Sequence, residues 1–259
     1  LKPQLQEVLE AARKVIVPYP QMGKFIKSRL MINTEIEVIP PGVTPFNAEF
    51  DFPREHFGFI PGERLIMLEG GLLPAKNVTF AIHYIEKIIA DYPELRLVIL
   101  NTPFDSDYQK QVVNEAAGKP WVKLLDRPEE GLLPFLHRHA EIFINVSHAE
   151  GYNSYMLSAM QTGRPVLAAD VYGNHAFIKN EETFPGMGNG WLYFTSPGPS
   201  SFGRIHDGDD FISKLRYMLD NPGHAIEVGQ RAARVVAQSH TVEKELYLHI
   251  QVYKSILRG

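Results

Sequence analysis

Residues Ser147 to Met160, reading Ser-His-Ala-Glu-Gly-Tyr-Asn-Ser-Tyr-Met-Leu-Ser-Ala-Met, hold the groups with most chemistry to offer. They follow an apolar, strand-like run and lead into a stretch with helical character. The first amides of a helix lack intrahelical partners and bind phosphate well, and Asn153 or Ser154 could cap this one. Glu150 stands just before that end. There its carboxylate could accept hydrogen bonds from sugar hydroxyls while the amides of Asn153, Ser154 and Tyr155 hold a diphosphate, an arrangement that suits a nucleotide sugar. On this pattern alone a second reading stands equally open, that Glu150 only helps to cap the helix. His148, in the same loop, could reach a donor molecule or a general-base position. Tyr152 could stack on a ring or anchor the loop, and we read it as an anchor.

Three other polar groups invite a functional reading and are better explained locally. Asp105-Ser106-Asp107 resembles an Asp-x-Asp metal site but begins a helix after a strand, where Asp is expected as a cap. His137 and His139 are two apart on a predicted helix and point to different sides, so the pair reads as a solvated helix end. Gly186-Met187-Gly188-Asn189-Gly190 precedes a strand and does not join a strand to a helix, so it reads as a flexible turn and not as a phosphate loop.

The loop at Glu150 needs a scaffold, and the sequence supplies one. Apolar runs at Leu65 to Leu68, Leu95 to Leu100, Trp121 to Leu125, Ile142 to Val146, Pro165 to Ala169 and Trp191 to Phe194 alternate with amphipathic stretches. That alternation is what a parallel sheet with crossover helices requires. Val78, Ile82, Ile85 and Ile89 recur at helical spacing before Asp91-Tyr92-Pro93, and similar helices are expected at Asp107 to Ala117, Glu130 to His139 and Ser154 to Thr162. The sheet is then buried on both faces. The expected fold class is α/β, a Rossmann-like doubly wound parallel sheet.

Flanking this block, residues 1–60 show a helix-like Leu5, Val8, Leu9, Ala12 pattern, an apolar Val15-Ile16-Val17, a helix through Phe25 to Leu30 and the run Ile36 to Ile39. The Pro- and Phe-rich stretch from Pro45 to Pro61 reads as a linker. Three helices are expected at the other end: one carrying Phe211, Leu215 and Met218, one over residues 225–237, and one from Val242 to Leu257. Composition narrows the class further. In 259 residues, 44% are hydrophobic and 22% charged, which suits a globular chain with a sizeable core. Twenty-six basic against 30 acidic residues leave a net charge of −4, a poor basis for nucleic-acid binding. Cysteine is absent, which excludes disulfides and thiolate chemistry. No apolar run approaches the roughly 20 residues of a spanning helix, so a cytoplasmic location is expected. The chain begins with Leu, as expected of a piece of a longer protein.

The order Pro40-Pro41-Gly42-Val43, Gly70-Gly71-Leu72-Leu73-Pro74-Ala75-Lys76-Asn77, Ser147-x-x-Glu150-Gly-Tyr, Ala159-Met160-x-x-Gly163-x-Pro165-Val166 and Asn189-Gly190 resembles the family-4 retaining glycosyltransferases of GT-B fold. The likeness covers roughly residues 14–256. It implies the donor-binding half of such an enzyme: a remnant of the amino-terminal domain and linker at 1–60, a nucleotide-sugar domain at 61–238 and a crossover helix at 239–259. It also implies that the acceptor-binding domain is largely missing, and that the apolar face of the last helix, Leu246, Ile250 and Tyr253, is exposed or covers the stump of residues 1–40.

By the same resemblance Glu150 contacts the donor sugar and Lys76 neutralises the diphosphate leaving group, with Gly70, Gly71, His148, Gly151, Tyr152, Asn153, Ser154, Tyr155 and Ser158 around the donor. Leu125, Asp126 and Arg127 align with a loop that contacts the nucleobase. Departures accompany the likeness. Ser158 replaces a second Glu that binds ribose, Gly71 replaces an arginine on the diphosphate, Asn101-Thr102 replaces a glycine, and Ala176 stands where another Glu often sits. A serine offers one hydroxyl contact where a carboxylate accepts two, which weakens ribose binding by about 1 to 3 kcal/mol.

The implied activity is transfer of a hexosyl unit from a nucleoside diphosphate sugar to a hydroxyl of a glycan or lipid-linked acceptor, with retention. No metal or other cofactor is expected, and peripheral association with the inner face of a membrane is implied for the full protein. Two other classes fit the same residues: a non-catalytic GT-B-like module or subunit partnering an active transferase, and a nucleotide-sugar epimerase or hydrolase.

Overall fold

A computed structural model describes residues 2–45, 52–69, 71–101, 107–126, 128–129, 132–198 and 203–258. The chain divides into two compact units, one formed by Leu1–Pro45 with Val236–Gly259 and the other by Phe46–Val235.

In the smaller unit, helix α1 (Lys2–Ala11), strand β1 (Lys14–Val17), helix α2 (Pro20–Leu30) and strand β2 (Glu35–Val38) form a βαβ unit behind a leading helix. The two strands pair in parallel, Lys14 opposite Glu35 and Val17 opposite Val38. Lys14 Nζ bridges Glu35 and Glu37 at 2.9 and 2.7 Å, which aligns the exposed edge. Gly42 donates its amide to Glu245 at 2.8 Å. A Cβ on Gly42 would lie 2.3 Å from the Thr241 carbonyl carbon, so only glycine permits this approach to the final helix, Val242–Arg258. Leu246 and Tyr253 of that helix remain 58% and 56% exposed.

The larger unit carries β3 (Arg64–Glu69), α3 (Val78–Glu86), β4 (Leu95–Asn101), α4 (Asp107–Ala116), β5 (Val122–Asp126), α5 (Leu133–Arg138), β6 (Ile142–Asn145), α6 (Ser154–Gln161), β7 (Val166–Ala169), α7 (Tyr172–His175) and β8 (Trp191–Tyr193). A short hairpin, β9 (Thr195–Pro197) with β10 (Arg204–His206), helix α8 (Gly208–Asp220) and helix α9 (Pro222–Ser239) as far as Val235 complete it. Six strands form one sheet in the order β5-β4-β3-β6-β7-β8, every neighbouring pair parallel. The α/β sheet expected from the alternating runs is therefore present.

Its two faces follow from strand alternation. Ile66, Leu68, Leu97, Ile99, Ile144 and Leu167 belong to a core cluster with Val78, Ile82, Phe211 and Leu215 of α3 and α8. The residues between them, Met67, Val98 and Phe143, are also buried, which is why the strands read as unbroken apolar runs.

Three local expectations change. From Phe52 onward the segment read as a linker is part of the packed unit: Phe57 and Phe59 are buried, and the Phe52 carbonyl meets His139 Nε2 at 2.7 Å. Residues 46–51 of that segment lie outside the described residues. His137 is fully buried, 3.0 Å from Glu69 through Nε2 with its ring 4.9 Å from that of Phe143, so the helix end read as solvated has turned one imidazole inward. The 186–190 turn is pinned, because the Glu181 carboxylate accepts the amides of Gly186 and Gly188 at 2.7 and 2.8 Å and is bridged by Arg231 at 2.7 Å. Asp107 opens α4 in full exposure, while Asp105 and Ser106 lie outside the described residues.

Candidate functional site

Crossovers from β3 run outward in one direction to β4 and β5, and from β6 in the other to β7 and β8, so the winding reverses between β3 and β6. In a parallel sheet, loops leaving two such strands diverge and open a crevice at their carboxyl ends. The loop after β3 carries Lys76 and the loop after β6 carries Glu150.

The first loop is shaped by Gly71, at φ +77° where a side chain would be strained, and by Leu72, whose full burial anchors it. Pro74 to Lys76 then make a single 3₁₀ turn closed by the Lys76 amide on the Leu73 carbonyl at 2.8 Å. The second loop continues β6 through buried Val146 and Ser147, and His148 donates its amide to the Ala75 carbonyl at 2.9 Å. That bond joins the two loops one residue from Lys76 and two from Glu150. Lys76 Nζ lies 2.7 Å from Glu150 Oε1, with side-chain exposures of only 19% and 8%.

A set of asparagines supports the carboxylate. Asn145 Nδ2 donates to Glu150 Oε1 at 3.1 Å and to Ser147 Oγ at 3.1 Å. Asn174 Nδ2 donates to Asn145 Oδ1 at 3.0 Å and to the Ala169 carbonyl at 2.9 Å, and Asn153 Nδ2 donates to Asn174 Oδ1 at 3.2 Å. All three are buried. Their amide flips are mutually determined, because each carbonyl faces a donor and each NH2 faces an acceptor. Glu150 Oε2 has no hydrogen-bond partner among the described residues. Gly173 lets α7 close on this loop: a Cβ there would stand 2.5 Å from the Glu150 carbonyl oxygen.

Helix α6 is capped by Asn153, whose Oδ1 accepts the Met156 amide at 3.1 Å, so capping does not fall to Glu150. The Ser154 amide donates to the Tyr152 carbonyl at 3.2 Å, so this amide expected to face phosphate is engaged within the loop. Tyr152 packs its ring 5.5 Å from Phe177, as an anchor would. Gly151 is exposed with open space around it, and Ser158 is half-buried on α6. Leu125 and Asp126 end β5, three positions along the sheet from β6 and therefore roughly 14 Å away at the usual strand spacing. Gly70 and Arg127 lie outside the described residues, as does Thr102.

Two residues before Glu150, His148 Nδ1 meets His206 Nε2 at 3.0 Å, and His206 Nδ1 meets the Tyr193 hydroxyl at 2.7 Å. Burial pushes the His148 imidazole below its usual value. Burial, with the nearby charges of His148 and Arg204, holds His206 down to about 4. A cavity of about 440 Å³ lies farther along the sheet, with Asp170, His175, Ala176, Phe177 and Lys179 in its wall; Glu150 and Lys76 do not line it. Among the described residues no three His, Asp or Glu side chains are placed to hold a metal ion. No described helix is long and apolar enough to cross a membrane.

The structure thus brings together Lys76, His148, Glu150, Tyr152 and Asn153. The sequence reading missed Asn145, Asn174, Gly173, Tyr193 and His206. Asn145 had a signal, being a polar residue that ends the apolar run Ile142-Phe143-Ile144; the others had none without their partners in view.

A family model for glycosyl transferases group 1 matches residues 63–203. A glycosyltransferase 1 domain-containing protein 1 from Xenopus tropicalis is 26% identical over 198 residues, 74% of this chain and 52% of the relative. A D-inositol 3-phosphate glycosyltransferase from Nocardia farcinica is 25% identical over 189 residues, 69% of this chain and 42% of the relative. The chain spans about half the length of these curated relatives. Among solved structures, sucrose-phosphate synthase from Thermosynechococcus elongatus superposes with a TM-score of 0.81 at 18% identity, over 99% of this chain and 61% of that one. Anabaena HepE, in complex with UDP and glucose, gives 0.76 at 17% identity, over 98% and 66%.

Proposed function

This chain belongs to the glycosyl transferases of group 1, and from that premise we propose that it is the donor-binding portion of a retaining hexosyltransferase. It holds a nucleoside diphosphate sugar at the crevice between β3 and β6, for transfer to a hydroxyl of a glycan or lipid-linked acceptor carried by the rest of the protein. The observation that supports this reading most directly is the Lys76–Glu150 pair at the point where the sheet reverses its winding.

The roles divide by charge. Breaking the glycosidic bond places negative charge on a phosphate oxygen, and a fixed ammonium such as that of Lys76 stabilises that charge as it grows. Glu150, held on one oxygen by Asn145, keeps the other oxygen to accept a sugar hydroxyl. Leu125, Asp126 and Arg127 then meet the nucleobase, and no divalent ion is required because Lys76 and the start of α6 offset the diphosphate. In this reading the proton of the acceptor hydroxyl leaves with the departing phosphate. The reaction belongs at the cytoplasmic face of a membrane.

Calorimetric titration with uridine, guanosine and adenosine diphosphate sugars tests the proposal, with Glu150→Gln and Lys76→Ala as controls. Saturable binding weakened by both substitutions supports it, and heat changes identical in all three proteins would sink it. Ser158 and Gly71, where related enzymes carry a carboxylate and a guanidinium, favour a second reading, a module that partners an active transferase without turning over donor itself. Donor binding without transfer after the complete protein is assembled would favour that alternative.

A further inference from the structure

His148 is the node at which three segments meet. Its backbone amide is bound to Ala75 beside Lys76, it precedes Glu150 by two residues, and its ring is held by the β9–β10 hairpin. The hydrogens on that ring follow from the contacts. The Arg204 amide, which can only donate, points at His148 Nδ1 at 3.4 Å, so Nδ1 is an acceptor and carries no hydrogen. His206 Nε2, 3.0 Å from the same nitrogen, must therefore be the donor. In a neutral imidazole this leaves His206 Nδ1 to accept, and the hydroxyl 2.7 Å away on fully buried Tyr193 donates to it. Every polar atom in the chain Tyr193, His206, His148 then has one consistent role. The hydrogen of His148 sits on Nε2, which has no partner among the described residues. Burial displaces both imidazoles toward the neutral form.

We propose that Tyr193 and His206 are positioning residues that hold His148 as its Nε2–H tautomer, and that this uncharged N–H donates to a hydroxyl oxygen of the sugar in the nucleoside diphosphate sugar. The inference rests on the reading of the site given above. It divides the labour: the Lys76 ammonium suits the anionic diphosphate, and a neutral donor suits an uncharged hydroxyl without adding a second cation beside Lys76.

The test uses nitrogen-15 NMR of the histidine rings at pH 7 and titration with UDP-glucose, GDP-mannose or ADP-glucose, whichever binds most tightly, set against its nucleoside diphosphate alone. His148 is expected to show hydrogen on Nε2 in the wild type. His206→Leu, which removes the shorter contact on Nδ1 and leaves only the Arg204 amide at 3.4 Å, is expected to mix the tautomers and to weaken the nucleotide sugar roughly tenfold, the worth of one hydrogen bond, while leaving the nucleoside diphosphate unchanged. His206→Gln keeps an N–H near the position of Nε2 and is expected to retain both the tautomer and the affinity; this rescue separates positioning from a general loss of packing. His148→Ala should match His206→Leu. Hydrogen on Nδ1 of wild-type His148, unchanged sugar affinity in His206→Leu, or equal losses for nucleotide and nucleotide sugar would each overturn the proposal. A wild type that binds none of the three sugars defeats the underlying reading instead, and with it the assignment of a sugar oxygen, even if the tautomer is as stated.

Discussion

Lys76 and Glu150 are 74 residues apart in the chain and 2.7 Å apart in space, joined across the two central strands of the sheet. With both side chains mostly shielded from water, the pair is more than a surface contact. A nucleoside diphosphate sugar offers each partner a substitute, phosphate for the ammonium and hydroxyl for the carboxylate. Lys76→Met is therefore expected to weaken UDP and UDP-sugar together, by roughly tenfold or more. Glu150→Gln should weaken only the sugar-bearing ligand. Titration calorimetry of both ligands against both variants checks the split, and a loss of UDP binding in Glu150→Gln would contradict it.

The asparagine relay predicts a stability effect. Asn174 donates twice and accepts once, with no exposure to water. Asn174→Ala leaves the Asn145 and Ala169 carbonyls and the Asn153 NH2 without it, at a cost of about 2 to 3 kcal/mol. Urea unfolding measures this directly, and an unchanged midpoint would show that the relay is replaceable by solvent.

Gly173 predicts a coupled effect. A methyl group there meets backbone of residue 150, which cannot rotate away as a side chain would. Gly173→Ala is expected to cost about 1 to 3 kcal/mol, the usual range for overpacking, and to weaken sugar binding by moving the Glu150 loop. Gly151→Ala, with open space around it, serves as the neutral comparison in the same melting experiment.

A pH prediction follows from His206. Its folded value near 4 lies below the usual value of about 6.5, so the unfolded chain takes up the proton first. Stability is then full above about pH 6.5 and falls as the pH drops toward 4. Urea midpoints at pH 7 and pH 5 should differ less for His206→Gln than for the wild type. An equal drop in both would place the pH response elsewhere.

Much of this architecture was legible before any coordinates. Six apolar runs separated by helical periodicity give a parallel sheet because strands buried on both faces have little room for polar residues. The smaller elements were not legible for the converse reason. Thr195-Ser196-Pro197 and Arg204-Ile205-His206 are three residues each, too short and too polar to display alternation, yet they hold the ring of His148. His137 was misread because helical spacing separates two faces without saying which of them is covered; Phe143 and Glu69 decide that from 6 and 68 residues away. Glu150 was singled out by its place before a helix start and Lys76 by motif order, whereas Asn174 depends on a partner 29 positions earlier.

The three carboxamides behind Glu150 share a property that His148 and His206 lack: none gains or loses a proton over any pH at which the protein stays folded. Their part of the hold on the Glu150 carboxylate is thus indifferent to acidity. Charge enters that hold only on the Lys76 side, through the ammonium on the same oxygen.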